Sequence, residues 1–226
     1  MWRTSQEDIG EVMVNYYKSL FASIGGRVSI GILDCVPPMI DEEMNESLCR
    51  EFEASEVATA LQQMVPLKAP RPDDMPPLFY QHFWSTVNHD VTSSILSWLS
   101  SGTIPTPLNH TFITLVPKIN SLEYAYQFCP ISLYNVLYKI YSKVLANHLK
   151  KLLPSIITEH QSAFTKGRLI LDNILVAFET LHSLQNHKGG NYDCMALKLD
   201  MSKTYDRVEW YYLEGIMRKR VLGRGG

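Results

Sequence analysis

Apolar residues recur at helical spacing over residues 6–23, where Ile9, Val12, Met13, Tyr16, Tyr17 and Leu20 share a face. The pattern predicts an amphipathic helix closed by Gly25-Gly26. The period then disappears, and residues 24–50, with Pro37-Pro38 and the acidic run Asp41-Glu42-Glu43, read as an irregular connector. Ser55 opens a short helix through Val57, Ala60, Leu61 and Met64, and a second helix near Val91–Leu99 ends at Gly102. In H-T-F-I-T-L-V-P-K, Phe112, Thr114 and Val116 alternate with Thr111, Ile113 and Leu115, which predicts a strand buried on much of both faces. A helix is expected from Ser132 to Leu152, stopped by Pro154. Val136, Leu137, Ile140, Tyr141, Val144, Leu145, Leu149 and Leu152 fill its apolar arc. Lys139, Lys143 and Lys150 cluster on the opposite side, a stripe that serves solubility or contacts a polyanion. Asp172 suits the N-cap of a helix over Asn173–His187. In Met195–Met201, Ala196, Lys198 and Asp200 alternate with Met195, Leu197, Leu199 and Met201, the pattern of a half-buried strand that ends on a carboxylate. A turn follows, then a helix near Arg207 with Asp206 and Glu209 as its capping box.

Composition narrows the class. With 226 residues, 46% hydrophobic and 11% aromatic, the chain has material for a packed globule of one domain or slightly more. Cys35, Cys49, Cys129 and Cys194 lie far apart and form no C-x-x-C pair, which argues against a disulfide framework or a zinc site. His160, His182 and His187 have no partner at metal-ligand spacing. No apolar run reaches membrane-spanning length and the first residues are not a signal peptide, so an intracellular protein, nuclear or cytoplasmic, is expected. The net charge of −2 hides an asymmetry: residues 1–109 carry 6 Lys+Arg against 14 Asp+Glu, and residues 110–226 carry 15 against 9. The basic half is where contact with a polyanion is to be sought.

A carboxylate at the end of a strand, backed by an apolar face, is a natural site for a hard cation, although a lone L-D is more often an ordinary surface aspartate at a strand end. The full string L-D-M-S-K-T-Y-D-R-V-E-W resembles the first catalytic motif of reverse transcriptases of non-LTR (LINE-type) retrotransposons. It is most similar to the plant copies, where L-D-x-x-K-A-Y-D-R-V-x-W is usual. The resemblance implies that Asp200 is the metal-binding aspartate of the polymerase palm. It further implies that Tyr205 is the aromatic gate at the sugar 2′ position, and that Lys203 and Thr204 lie at the incoming nucleotide. Thr204 replaces the usual small Ala and crowds that position.

Three further blocks resemble the same family in the same order. Lys68-Ala-Pro-Arg-Pro-Asp-Asp-Met75 is similar to K-A-P-G-P-D-G-M, with Arg71 and Asp74 in place of glycines. The strand ending V-P-K and the later C-P-I-S-L are similar to L-I-P-K and R-P-I-S-L, whose lysine and arginine hold the triphosphate in the family. Here Lys118 is kept and Cys129 stands for the arginine, which removes a charged fork of donors. The Ile157–Asn173 block is similar to L-I-x-x-x-Q-x-A-F-x-x-x-R-x-I-x-D-N-I, with Gln161, Phe164, Arg168, Asp172 and Asn173 in place. Arg168 joins the implied nucleotide-binding set, and Gly167 allows a tight turn beside it.

The resemblance implies an α+β fold: helix-rich fingers plus an incomplete right-hand polymerase palm. Residues 1–50 would lead into a partial reverse transcriptase domain over 51–226. The implied partners are an RNA template, a DNA primer and deoxynucleotide triphosphates, with Lys139, Lys143 and Lys150 against the nucleic-acid backbone. The implied cofactor is Mg²⁺ or Mn²⁺, held in the intact enzyme by more than one carboxylate. The family's second metal motif, an aromatic followed by A-D-D, does not occur in these residues, and Asp73-Asp74 lies in a proline loop. The ending V-L-G-R-G-G departs from the family and reads as a frameshift or early stop. The chain is therefore expected to be inactive as it stands, with a non-catalytic nucleic-acid-binding remnant as the alternative.

Overall fold

The computed structural model describes residues 5–23, 25, 30–67, 75–186, 195–201 and 203–221. In chain order the helices among them begin with α1 (Gln6–Phe21), α2 (Ile30–Asp34), α3 (Glu42–Cys49), α4 (Ala54–Gln62), α5 (Pro77–His82) and α6 (Trp84–Ser101). The strands β1 (Phe112–Pro117) and β2 (Phe128–Leu133) follow, then α7 (Val136–Lys150), α8 (Leu153–Ile156), α9 (Ile170–Asn186), α10 (Thr204–Arg207) and α11 (Trp210–Val221). This is a helix-rich α+β chain with one two-stranded sheet among the described residues. It divides into two compact units, residues 1–17 with 46–149 and residues 18–45 with 150–226.

The first unit has a continuous core. Val57, Ala60 and Leu61 of α4, Tyr80 of α5, Val91, Ile95 and Leu99 of α6 and Val136, Ile140 and Val144 of α7 pack together. Each set recurs at three- and four-residue intervals, so each helix turns one stripe inward. Burying a side chain such as Ile95 is worth about 1.5–3 kcal/mol, and several here are fully enclosed. The helix ends are satisfied locally. Glu56 Oε2 accepts from the Glu53 amide at the start of α4 (3.0 Å). At its other end Gln81 Nε2 donates to the carbonyls of Leu61 (2.9 Å) and Met64 (3.0 Å). Gly102 closes α6 at φ 67°, a conformation that costs a residue with a Cβ and is nearly free for glycine.

A polar cluster is built into the same unit. His148 of α7 is buried against the ring of Phe52, and its Nε2 lies 2.6 Å from Glu56 Oε1. Arg50 donates to the same oxygen at 2.5 Å.

β1 and β2 are antiparallel, with Phe112 opposite Leu133 and Pro117 opposite Phe128. Their connection is pinned where Tyr17 Oη donates to the carbonyl of Ala125 (3.4 Å) and Gln127 Oε1 accepts from the amides of Glu123 and Tyr124 (2.7 and 2.9 Å). β1 is mostly exposed rather than buried on both faces, because a two-stranded ribbon leaves its apolar residues open unless other layers cover it.

The second unit is joined by contacts distant in sequence. The amides of Met39 and Ile40 donate to the carbonyl of Arg220, Lys219 pairs with Asp34 at 2.9 Å, and Leu33 lies against Gly215.

Several boundaries differ from the sequence reading. The supposed connector contains α2 and α3, and Asp41 is the N-cap of α3, its Oδ1 accepting from Met44 N at 2.8 Å. The helix expected from Ser132 starts at Val136, because Ser132 belongs to β2 and Asn135 caps the helix through Tyr138 N (2.8 Å). Pro154 sits in the first turn of α8, where its missing N–H is no loss. α9 starts at Ile170, so Asp172 lies in its first turn and not at its N-cap. Residues 195–201 form no strand: among the described residues none pairs with them, and a strand needs a partner to make its ladder. Asp206 lies inside α10, and the helix expected near Arg207 begins at Trp210, with Glu209 O accepting from the amides of Tyr212 and Leu213. The glycine-replaced loop with Arg71 and Asp74, and also His187, Cys194 and residues 222–226, lie outside the described residues.

Candidate functional site

The hairpin brings two of the sequence-derived site residues together. Cys129 is opposite Val116 in the β1–β2 register, so both occupy one face. Lys118 directly follows β1 and is held at the connected end of the hairpin by its amide, which donates to the carbonyl of Gln127 at 3.0 Å. Both Lys118 and Cys129 are exposed. An anion at this end of the hairpin would meet one ammonium and one thiol, and the thiol supplies only a weak donor.

Two of the three lysines of α7 share a cleft. Lys139 and Lys143, half-buried, line an open cavity of about 430 Å³ with Gln63, Met64, Pro77 and Ser142. The stripe is thus only partly a solvated face: its first two members look across at the end of α4 and the start of α5. Lys150 is exposed at the end of α7. Gln63 and Ser142 were not singled out from sequence, since nothing but spatial proximity associates them with the lysines.

In the second unit, Asp200 is exposed on the segment before α10. Lys203 adopts φ 56°, the left-handed region, and turns the chain into α10. Thr204 Oγ1 donates to the carbonyl of Met201 at 2.5 Å, so its hydroxyl braces this turn. Tyr205 then stands 86% exposed. Arg168 has a different environment: its guanidinium donates to the carbonyls of Thr158 (2.5 Å), Gln161 (2.8 Å), Ile157 (3.2 Å) and Pro154 (3.4 Å). The guanidinium therefore points into the loop that carries it.

A divalent ion needs several oxygen donors, and Mg²⁺ gives up its waters reluctantly. Among the described residues no group of three His, Cys, Asp or Glu side chains could hold a metal. Asp200 offers one exposed carboxylate, which does not by itself fit a held ion. The three described cysteines, Cys35, Cys49 and Cys129, are exposed. No described helix is long and apolar enough to cross a membrane.

Residues 116–221 match the family described as reverse transcriptase (RNA-dependent DNA polymerase), whose polymerases generally use divalent metals. The chain is also 29% identical, over 186 residues, to the transposon TX1 uncharacterized 149 kDa protein of Xenopus laevis. That alignment covers 82% of this chain and 14% of the relative, so the chain spans a small part of the protein it resembles. Together the two similarities support a reverse transcriptase fragment of a LINE-type element.

Proposed function

We propose that this reverse transcriptase fragment of a LINE-type element supplies the fingers and the first part of the palm of an RNA-directed DNA polymerase, most similar in its motif wording to the plant elements. The 226-residue chain by itself binds nucleic acid without extending a primer. The observation that carries the reading is the string L-D-M-S-K-T-Y-D-R-V-E-W, which lies inside the family match and contains the exposed Asp200 and Tyr205. In this reading Lys118 meets the triphosphate of an incoming deoxynucleotide at the connected end of the hairpin. Lys203, Thr204 and Tyr205 border its sugar, and Lys139, Lys143 and Lys150 follow the phosphates of template or primer. Arg168 serves the nucleotide site through the loop it braces. Mg²⁺ or Mn²⁺ belongs to the completed site, where further carboxylates join Asp200.

Two features of the chain oppose activity. A single carboxylate does not hold the metal, and Cys129 puts a neutral thiol where a guanidinium would stabilise charge on the triphosphate. Losing one such contact typically costs about 10²-fold or more in rate.

Primer extension by three proteins tests the reading. They are the chain alone, the chain joined to the remaining polymerase residues of an intact relative, and that joined protein carrying Cys129→Arg. The expected result is no product from the first, little from the second and a clear gain from the third. Extension by the chain alone overturns the inactive reading, and equal rates in the second and third show that position 129 does not meet the triphosphate.

A further inference from the structure

We infer that Phe164 is a base-stacking side chain, presented by a braced loop to an unpaired nucleobase of the bound strand. The inference rests on the proposed reading for the presence of a nucleic-acid partner and adds to it a contact that this reading does not contain.

The loop from Ile157 to Leu169 turns two small polar residues, Ser162 and Thr165, to the interior and its aromatic residue to solvent. Ser162 and Thr165 are 5% and 6% exposed, whereas Phe164 between them is 86% exposed. Burial alone would choose the reverse arrangement. Phe164 also has φ 65°, a region that L residues with bulky side chains avoid because Cβ crowds the carbonyl. Such a conformation persists where the surroundings over-determine it, and it is found disproportionately at ligand clamps.

The surroundings do over-determine it. The Arg168 guanidinium bonds carbonyls from Pro154 to Gln161, and Asn173 Nδ2 bonds the carbonyl of His160 at 2.8 Å. These bonds tie the approach to Phe164 to the chain that leaves it. Thr165 Oγ1 is buried without a hydrogen-bond partner, a cost consistent with a loop shaped for something other than its own stability.

The chemistry around the ring selects the occupant. Lys166 is exposed two residues on, and Gly167, at φ 82°, has open space where a Cβ would sit. A flat apolar ring beside a cation and an open stretch of backbone suits a base with its phosphate, because every base has a π-face and its backbone carries the charge. Leu169 and Ile170, beyond Gly167 in the chain, are 61% and 64% exposed, so a protein segment is the competing occupant, and the abasic comparison separates the two.

The test compares two labelled single strands of equal length and charge, an oligouridylate and its abasic counterpart, titrated with the full 226-residue chain and followed by anisotropy. The intact chain is expected to favour the base-bearing strand by about tenfold. Phe164→Ala should bring that affinity down to the abasic value and leave the abasic affinity unchanged. Phe164→Trp should keep the preference, with its emission altered only by the base-bearing strand. Equal loss on both strands in Phe164→Ala means the ring serves the loop's structure and overturns the inference. So does an unchanged preference, which would point to a protein segment as the partner of the ring. An intact chain that binds both strands equally overturns the stacking contact alone. One that binds neither overturns the nucleic-acid reading with it.

Discussion

Glu56 accepts on one oxygen from Arg50 and His148 and on the other from the Glu53 amide, so a single carboxylate ties the start of α4 to the buried side of α7. Burial raises its pKa, but the Glu53 amide, His148 and Arg50 together outweigh burial and hold it below the ordinary glutamate value. A carboxyl depressed on folding contributes stability that is present above its unfolded pKa of about 4.3 and is lost as pH falls through the lower folded value. Urea unfolding followed from pH 7 down to pH 3 should therefore show a drop in midpoint below about pH 4.3 that is smaller in Glu56→Gln. That variant should also be less stable at pH 7 by about 1–3 kcal/mol, since it weakens hydrogen bonds from two partners. An identical acid drop in both proteins would remove Glu56 from the account. At this scale the sequence says little: His148 falls among apolar neighbours on α7 with no signal of its partners, which lie 92 and 98 residues away. Arg168 is similar. Its place in a family string implies a part in nucleotide binding, and its guanidinium bonds carbonyls that only the folded loop assembles.

Elements with their own punctuation were legible. Gly102 marks the end of α6, and the spacing of Val57, Ala60 and Leu61 marks the inner face of α4, because caps and periodicity are local physics. Strand character depends on a partner, so the alternation of Met195–Met201 predicted a face without guaranteeing a ladder. The same distinction separates two helices. α6 carries Ile95 at 0% exposure in the core, whereas α9 leaves Leu171, Leu175 and Phe178 at 65%, 58% and 67%. Ile95→Ala should cost about 2–5 kcal/mol, the transfer term plus the cavity. Leu175→Gln, between residues of similar helix propensity, should cost under about 0.5 kcal/mol and make the chain more soluble. Chemical denaturation and light scattering measure both. A large loss from Leu175→Gln would show that α9 is packed in solution.

For the whole molecule, the separation of charge along the chain gives the binding prediction. Residues 110–226 hold the positive excess, and the two lysines of the α7 cleft lie within it. Binding of a single strand should weaken linearly in log–log with salt, and replacing both Lys139 and Lys143 by alanine should make the slope shallower by about 1.4. Titrations at several ionic strengths read this directly. A slope unchanged by the double replacement would move the phosphate path elsewhere on the chain.

The contacts between α2 and α11 bear on how the polypeptide is made. Asp34 and Lys219 are 185 residues apart, as are the amides of Met39 and Ile40 from the carbonyl they share to within a few positions. A ribosome adding about 5–20 residues each second needs roughly 10–40 s to cover that distance. Throughout that interval Leu33 and its neighbours have emerged while the helix that meets them has yet to be synthesised. The second unit is therefore closed by a helix made long after α2. A nascent chain stalled before Trp210 presents α2 without its partner, so a pause there leaves Leu33 without the helix it packs against.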